Sequence, residues 1–203
     1  MTISNLLFQP WIGNQYRNGN QFNIPILIVG ESNYGVSQGT EIDAFFTHSL
    51  INGIINDTWK HRFFSNIQRT FVENANTQES RNEFWHSVAH HEYIQSWLPT
   101  SGVPPTEEMW TNAKPIFQEV VSELAPKCIL FVCKRVYDRV SADFREGELI
   151  TFVDSKHKTL HRKTLQIQNA YATYTKHPTY FGFRNSRDVV RKLILLSGGT
   201  HRV

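Results

Sequence analysis

Ile24-Pro25-Ile26-Leu27-Ile28-Val29-Gly30, running on into Glu31-Ser32-Asn33-Tyr34-Gly35, is the stretch that decides how this 203-residue chain is read. A short, unbroken apolar run ending in glycine is the pattern of a strand covered on both faces, as in a parallel sheet. Outward from it, helices and strands alternate. Residues 40–56 and 60–72 carry apolar positions at helical spacing, such as Phe46, Leu50 and Ile54, then Phe63, Ile67 and Phe71. Phe84 to Ile94 reads as a second strand. Thr106-Glu107-Glu108 opens a helix, with a threonine to cap it and acids at its positive end, and the helix stops before Pro126. Cys128 to Cys133 is a third buried strand, followed by a short helix near Val136 to Val140. A polar stretch from Asp143 to Gln168 holds at most one extra strand, Leu149 to Val153. Ala170 to Thr175 reads as a fourth sheet strand and Arg187 to Leu196 as a closing helix. The expectation is one α/β domain over residues 1–203, with its core at about 24–196. Its architecture would be a three-layer α/β/α sandwich with a short, mostly parallel central sheet and ligands at the carboxyl ends of the strands. Gly30 to Gly35 and His177 to Phe183 fall at two such ends.

The composition suits a packed domain. Hydrophobic residues make up 40% and charged residues 19%, with 14 Phe, 7 Tyr and 5 Trp, which excludes a chain too polar to fold. No apolar run approaches the length of a membrane span. The opening Met-Thr-Ile-Ser-Asn lacks a basic segment and a signal-type hydrophobic stretch, so a cytoplasmic protein is expected, with a monomer favoured. Cys128 and Cys133 lie an odd number of residues apart. In a strand they point to opposite faces and do not pair, and two cysteines are too few for an all-cysteine zinc or iron–sulfur site.

Charge is distributed unevenly. Residues 1–155 hold 11 Lys/Arg against 17 Asp/Glu, whereas residues 156–203 hold 10 Lys/Arg against the single acid Asp188. His157, His161, His177 and His201 lie in the same C-terminal part, so its charge rises further below pH 7. A one-sign block is either a solvated face, here a basic helix plus a loop, or a surface for a phosphate-bearing partner.

The loop after the first strand excludes several chemistries. Gly30-x4-Gly35 has P-loop spacing, but Val36 stands where the phosphate-binding lysine must be. Ser32 occupies the second glycine position of a dinucleotide fingerprint. Gly30-Glu31-Ser32 resembles the Gly-Asp-Ser block of SGNH-type esterases, with Ser32 as nucleophile and His177 as base. That family's late acid, however, would fall on Tyr174, and no Gly-x-Asn-Asp block is present. His86, His90 and Glu92 would share one strand face and number enough for a catalytic zinc. Hydrogen bonding to neighbours is the commoner use of such residues at a strand exit, and no metal is expected.

Four segments together carry a resemblance: Ile28 to Tyr34, Phe84-Trp85 through His91-Glu92-Tyr93-Ile94-Gln95, Pro126 to Val132, and Lys176-His177-Pro178-Thr179. In order and spacing they resemble the uracil-DNA glycosylase superfamily, and the resemblance spans about residues 24–196. It implies a three-layer α/β/α domain that binds DNA across the strand ends and cuts the bond between an extruded base and its sugar without a cofactor. His177-Pro178-Thr179 matches the family's His-Pro-Ser, which makes His177 the donor to the base. The first motif is Gly-Gln-Asp-Pro-Tyr in one branch and Gly-Glu-Ala-Pro-Gly in another. Here Ser32 replaces the aspartate of the former and Asn33 the proline of both, leaving Glu31 as the only carboxylate of the loop. Tyr34 would wall the base pocket, and Phe45 or Phe46 stands where a stacking aromatic is expected.

The family's base-reading Asn aligns with Glu92. An ionised Glu accepts only, so it would select a base edge that offers donors. The absence of four cysteines separates the chain from the iron–sulfur branch. The implied site is therefore Glu31 and His177 for catalysis and Ser32, Asn33, Tyr34, Phe45 and Glu92 for the base pocket. Lys156, Lys158, Arg162, Lys163, Lys176, Thr179, Arg184 and Arg187 would meet the nucleic acid. A non-catalytic nucleic-acid-binding relative is the alternative reading, and the Ser32–His177 hydrolase a third.

Overall fold

A computed structural model of the chain describes residues 3, 6–35, 43–100, 102–181, 183–184 and 186–201, without the side chains of residues 180 and 181. The quoted run forms β2 (Ile26–Gly30). It lies in a seven-stranded mixed sheet together with β1 (Trp11–Ile12), β3 (Val88–Glu92), β4 (Cys128–Phe131), β5 (Arg145–Val153), β6 (Thr159–Ile167) and β7 (Ala170–Tyr174). The strand order is β1-β3-β2-β4-β7-β6-β5. β2 pairs in parallel with β3 and β4, and β4 in parallel with β7, whereas β1–β3, β6–β7 and β5–β6 are antiparallel.

The physical basis for the apolar run is visible on β2. Ile26 and Ile28 belong to the hydrophobic cluster on one face of the sheet, and Leu27 and Val29 to the cluster on the other, all four fully buried. Each contributes about 1.5–3 kcal/mol of hydrophobic stabilisation. The first cluster takes in α1 (Phe46–Ile55), α2 (Arg62–Phe71) and α7 (Arg187–Leu196). The second takes in α4 (Glu107–Leu124) and α5 (Lys134–Ser141), so helices cover both faces. α4 begins as its sequence requires: Thr106 Oγ1 accepts the Met109 amide at 3.2 Å, and Ala125 ends the helix in the left-handed region at φ 45° before Pro126.

The sheet is not short and mostly parallel, because the chain between α5 and β7 adds a long antiparallel hairpin. Asp143 to Gln168 holds two nine-residue strands where sequence suggested one. Their burial alternates weakly, since β5 is an edge strand and only Ile150 and Phe152 reach the core. The densest basic run is thus the turn and far strand of this hairpin, not a helix. Phe84 to Ile94 is also divided. α3 (Gln78–Ser87), capped by Thr77 Oγ1 on the Ser80 amide at 3.1 Å, runs through Ser87 before β3 begins. The core extends N-terminal of residue 24, with Phe8, Trp11, Tyr16 and Phe22 buried and β1 paired to β3. The helix expected over 40–56 is α1, and residues 36–42 lie outside the described ones. No helix among the described residues is long and apolar enough to cross a membrane.

Strand order positions the site. The chain passes from β2 to β3 on one side and later enters β4 on the other. Loops leaving β2 and β4 therefore diverge and open a crevice at their carboxyl ends, the usual place for a ligand in an open α/β sheet.

Candidate active site

A cavity of about 510 Å³ fills that crevice. Glu31, Ser32, Asn33, Tyr34 and Gly35 enter it from the end of β2, Glu92 from β3, Val132 and Cys133 from β4, and His177 and Thr179 from beyond β7. Phe46, Leu50, Trp59, His61, Phe63 and Phe64, on α1, α2 and their connection, form the opposite wall. The size suits a small organic ligand, and the mix of aromatic rings with a few polar groups is typical of such sites. The structure thus brings together every catalytic and base-pocket residue read from sequence except Phe45. That side chain is 48% exposed, with its ring against His48 at 5.2 Å. Its neighbour Phe46, first residue of α1, turns into the cavity instead.

Glu31 is buried and fully engaged. Arg135 grips it with both arms, Nε donating to Oε1 at 2.6 Å and Nη2 to Oε2. The Tyr34 hydroxyl donates to Oε2 at 3.0 Å, and the Cys133 thiol lies 3.7 Å from Oε1. A forked guanidinium on a carboxylate is among the strongest side-chain pairs. It raises the Arg135 pKa, while burial and the adjacent Glu31 charge push the Tyr34 hydroxyl and the Cys133 thiol up. Arg135 was not singled out from sequence. The available signal was the position of Lys134 and Arg135 in the first turn of a helix, where the dipole disfavours cations unless a carboxylate answers them.

His177 leans on Phe63, with ring centroids 5.2 Å apart, and its Nδ1 accepts the Thr179 amide at 3.3 Å. That bond assigns the ring proton of the neutral imidazole to Nε2, a donor. Burial lowers the His177 pKa, with Arg135 and His61 acting in the same direction and Glu31 opposing them. Burial lowers His61 as well.

Glu92 ends β3 beside Gly30 and receives His90 Nε2 on Oε1 at 2.8 Å. His90 is fully buried among Phe63, Phe64 and Trp85. A Cβ on residue 30 would run into Glu92 Oε2 and come within 2.8 Å of its carboxyl carbon, so the glycine makes room for this carboxylate.

Other expected roles change. The Ser32 hydroxyl donates to the Ser96 carbonyl at 2.8 Å and lies 3.2 Å from the Asn33 carbonyl, and no bond to His177 activates it. His86 stands on α3, not on the face of His90 and Glu92. Its Nδ1 accepts the Asn14 amide, and among the described residues no group of three or more His, Cys, Asp or Glu is placed to hold a metal.

Several of the basic residues are committed within the fold. Arg162 donates to the Tyr174 carbonyl at 2.6 Å and lies 3.8 Å over the Tyr174 ring, and Lys163 pairs with Glu146 at 2.9 Å. Arg187 holds the Arg69 carbonyl at 2.9 Å and pairs with Glu73 at 3.4 Å. Lys156, Lys158, Lys176 and Arg184 are exposed, and Thr179 lines the cavity. Lys134 and Arg135 follow β4, Lys134 paired with Asp138 at 2.6 Å and Arg135 with Glu31, and Lys176 follows β7 at the same rim. Neither a protein-family model nor a curated protein matches the chain.

Proposed function

We propose that the chain hydrolyses N-glycosidic bonds in DNA, as a divergent member of the uracil-DNA glycosylase superfamily with a three-layer α/β/α frame. One observation carries the reading. Glu31 after β2 and His177 after β7 come from distant parts of the chain, yet line one aromatic-walled cavity at the strand ends. Cleavage of this bond builds positive charge on the sugar and negative charge on the departing base. Glu31, its negative charge supported by Arg135, answers the first. The Nε2 proton of His177 answers the second as a neutral donor to a base oxygen or nitrogen. Phe46, Phe63, Phe64 and Trp59 offer faces on which an extruded base stacks. Exposed Lys176 beyond β7, with Lys156 and Lys158 at the hairpin turn, suits the phosphates of a strand laid across the strand ends. Unpaired Cys128 and Cys133 accord with an intracellular setting.

A non-catalytic relative is the second reading, and the Glu31–Arg135 pair favours it, because both oxygens of the only carboxylate on the first loop already have partners. Incubation with single- and double-stranded oligonucleotides, each carrying one variant base, separates the two. Alkali-labile abasic sites that vanish with Glu31→Gln or His177→Ala support the hydrolase. Salt-sensitive binding without abasic product on any base supports the binding module.

A further inference from the structure

Two polar side-chain atoms on cavity-lining residues lack hydrogen-bond partners among the described residues, and one of them, on Asn33, is fully buried. Glu92 is 5% exposed. Its Oε1 is held by His90, while its Oε2 lies over Gly30 with no donor from the described residues. Asn33 is equally buried, and its side-chain Nδ2 has no acceptor. Buried polar atoms are nearly always paired, so the Asn33 donor calls for an acceptor, while Glu92 Oε2, on the same cavity lining, is an acceptor left without a donor; together they describe the edge of the molecule that completes them. Glu31 supplies no such acceptor, because Arg135, Tyr34 and Cys133 already surround its oxygens.

Resting on the reading of the cavity as a base pocket, we propose that its substrate base carries an exocyclic amino group, as in modified relatives of cytosine and adenine. The amino N–H donates to Glu92 Oε2, and the adjacent ring nitrogen or carbonyl accepts from Asn33 Nδ2. His90 positions the acceptor by holding the other carboxylate oxygen from a closed aromatic box of Phe63, Phe64 and Trp85. A uracil-type base presents instead an N–H between two carbonyl oxygens, and those oxygens face the carboxylate with like charge.

The test is competition binding with oligonucleotides that differ at one position, cytosine against uracil and adenine against hypoxanthine. Uncleavable 2′-fluoroarabino sugars keep binding separate from chemistry. The amino member of each pair should bind at least about tenfold more tightly, because it donates to the Glu92 carboxylate where the lactam member turns a carbonyl oxygen toward it. Glu92→Gln, whose amide both donates and accepts, should erase that advantage, and Asn33→Ala should reduce it severalfold, with melting curves confirming that each variant folds. Equal binding, or preference for the lactam member, overturns the proposal. Cleavable substrates distinguish its failure from that of the hydrolase. Release of bases without regard to the amino group leaves the hydrolase and overturns the amino-base assignment. Amino preference in binding with no release from any base does the reverse, and binding of neither member overturns both.

Discussion

His91, the fourth residue of β3, is fully buried on the opposite face of the strand from His90 and Glu92, and neither of its ring nitrogens has a partner among the described residues. Burial, reinforced by His90, lowers its pKa from 6.5 to about 3. The unfolded chain takes up this proton near 6.5 and the folded chain only near 3, so between those values the unfolded state binds more protons and stability rises with pH. The slope is about 1.4 kcal/mol per pH unit, so lowering the pH to about 4.5 removes about 3 kcal/mol, a large share of a typical domain's stability. His91→Leu removes the group. Because no hydrogen bond is lost, the variant should be as stable as the parent, or more so, at pH 7.5. Urea unfolding of both proteins at half-unit steps from pH 7.5 to 4.5 measures the difference. Histidines common to both, including His177 and His61, contribute equally and cancel. The variant's advantage should grow steadily as pH falls below 6.5. A gap independent of pH would refute the assignment of His91 as a buried neutral imidazole.

Two further expectations concern the site. Gly30→Ala places a methyl group on Glu92 Oε2 and forces the carboxylate away from His90, so oligonucleotide affinity should fall at least about tenfold while the melting temperature changes far less; unchanged affinity would show that Glu92 does not contact ligand. Arg135→Gln leaves Glu31 buried with only Tyr34 and the Cys133 thiol as donors. Because half of the Arg135 side chain is solvent-exposed, the loss should be about 1–2 kcal/mol, below that of a fully buried pair, read as a lower urea midpoint at pH 7.5. A midpoint unchanged from the parent's would contradict that account of the bridge.

The elements legible in the sequence were those whose burial is one-sided or complete. β2 and β4 are continuous apolar runs because both faces are covered, β7 is a short run of small and aromatic residues, and α4 and α7 show one apolar stripe each. α3 escaped because Gln78 to Ser87 is polar over most of its surface and its last turn, Phe84 and Trp85, abuts the apolar start of β3. Of the β5–β6 hairpin only Leu149 to Val153 was read; β6 escaped because its first half, Thr159 to Lys163, is basic and mostly exposed, held by pairing to β5 and not by burial. Within the site, Glu31, Tyr34, Glu92 and His177 stood out because strand exits are where chemistry collects. Arg135 and the wall from Trp59 to Phe64 did not, since only the tertiary approach of α2 and α5 to those exits gives them a role.

The cavity is assembled from segments that reach from the β2 exit to the loop beyond β7, and β4 is the strand that lies between β2 and β7. A molecule bridging these walls fastens remote parts of the polymer to one another, and unfolding must first expel it. Occupancy therefore converts into heat resistance: a compound present at a hundred times its dissociation constant adds about 2.7 kcal/mol. Candidate ligands, nucleosides with and without amino groups among them, can be ranked by the melting temperature they confer before any turnover is detected.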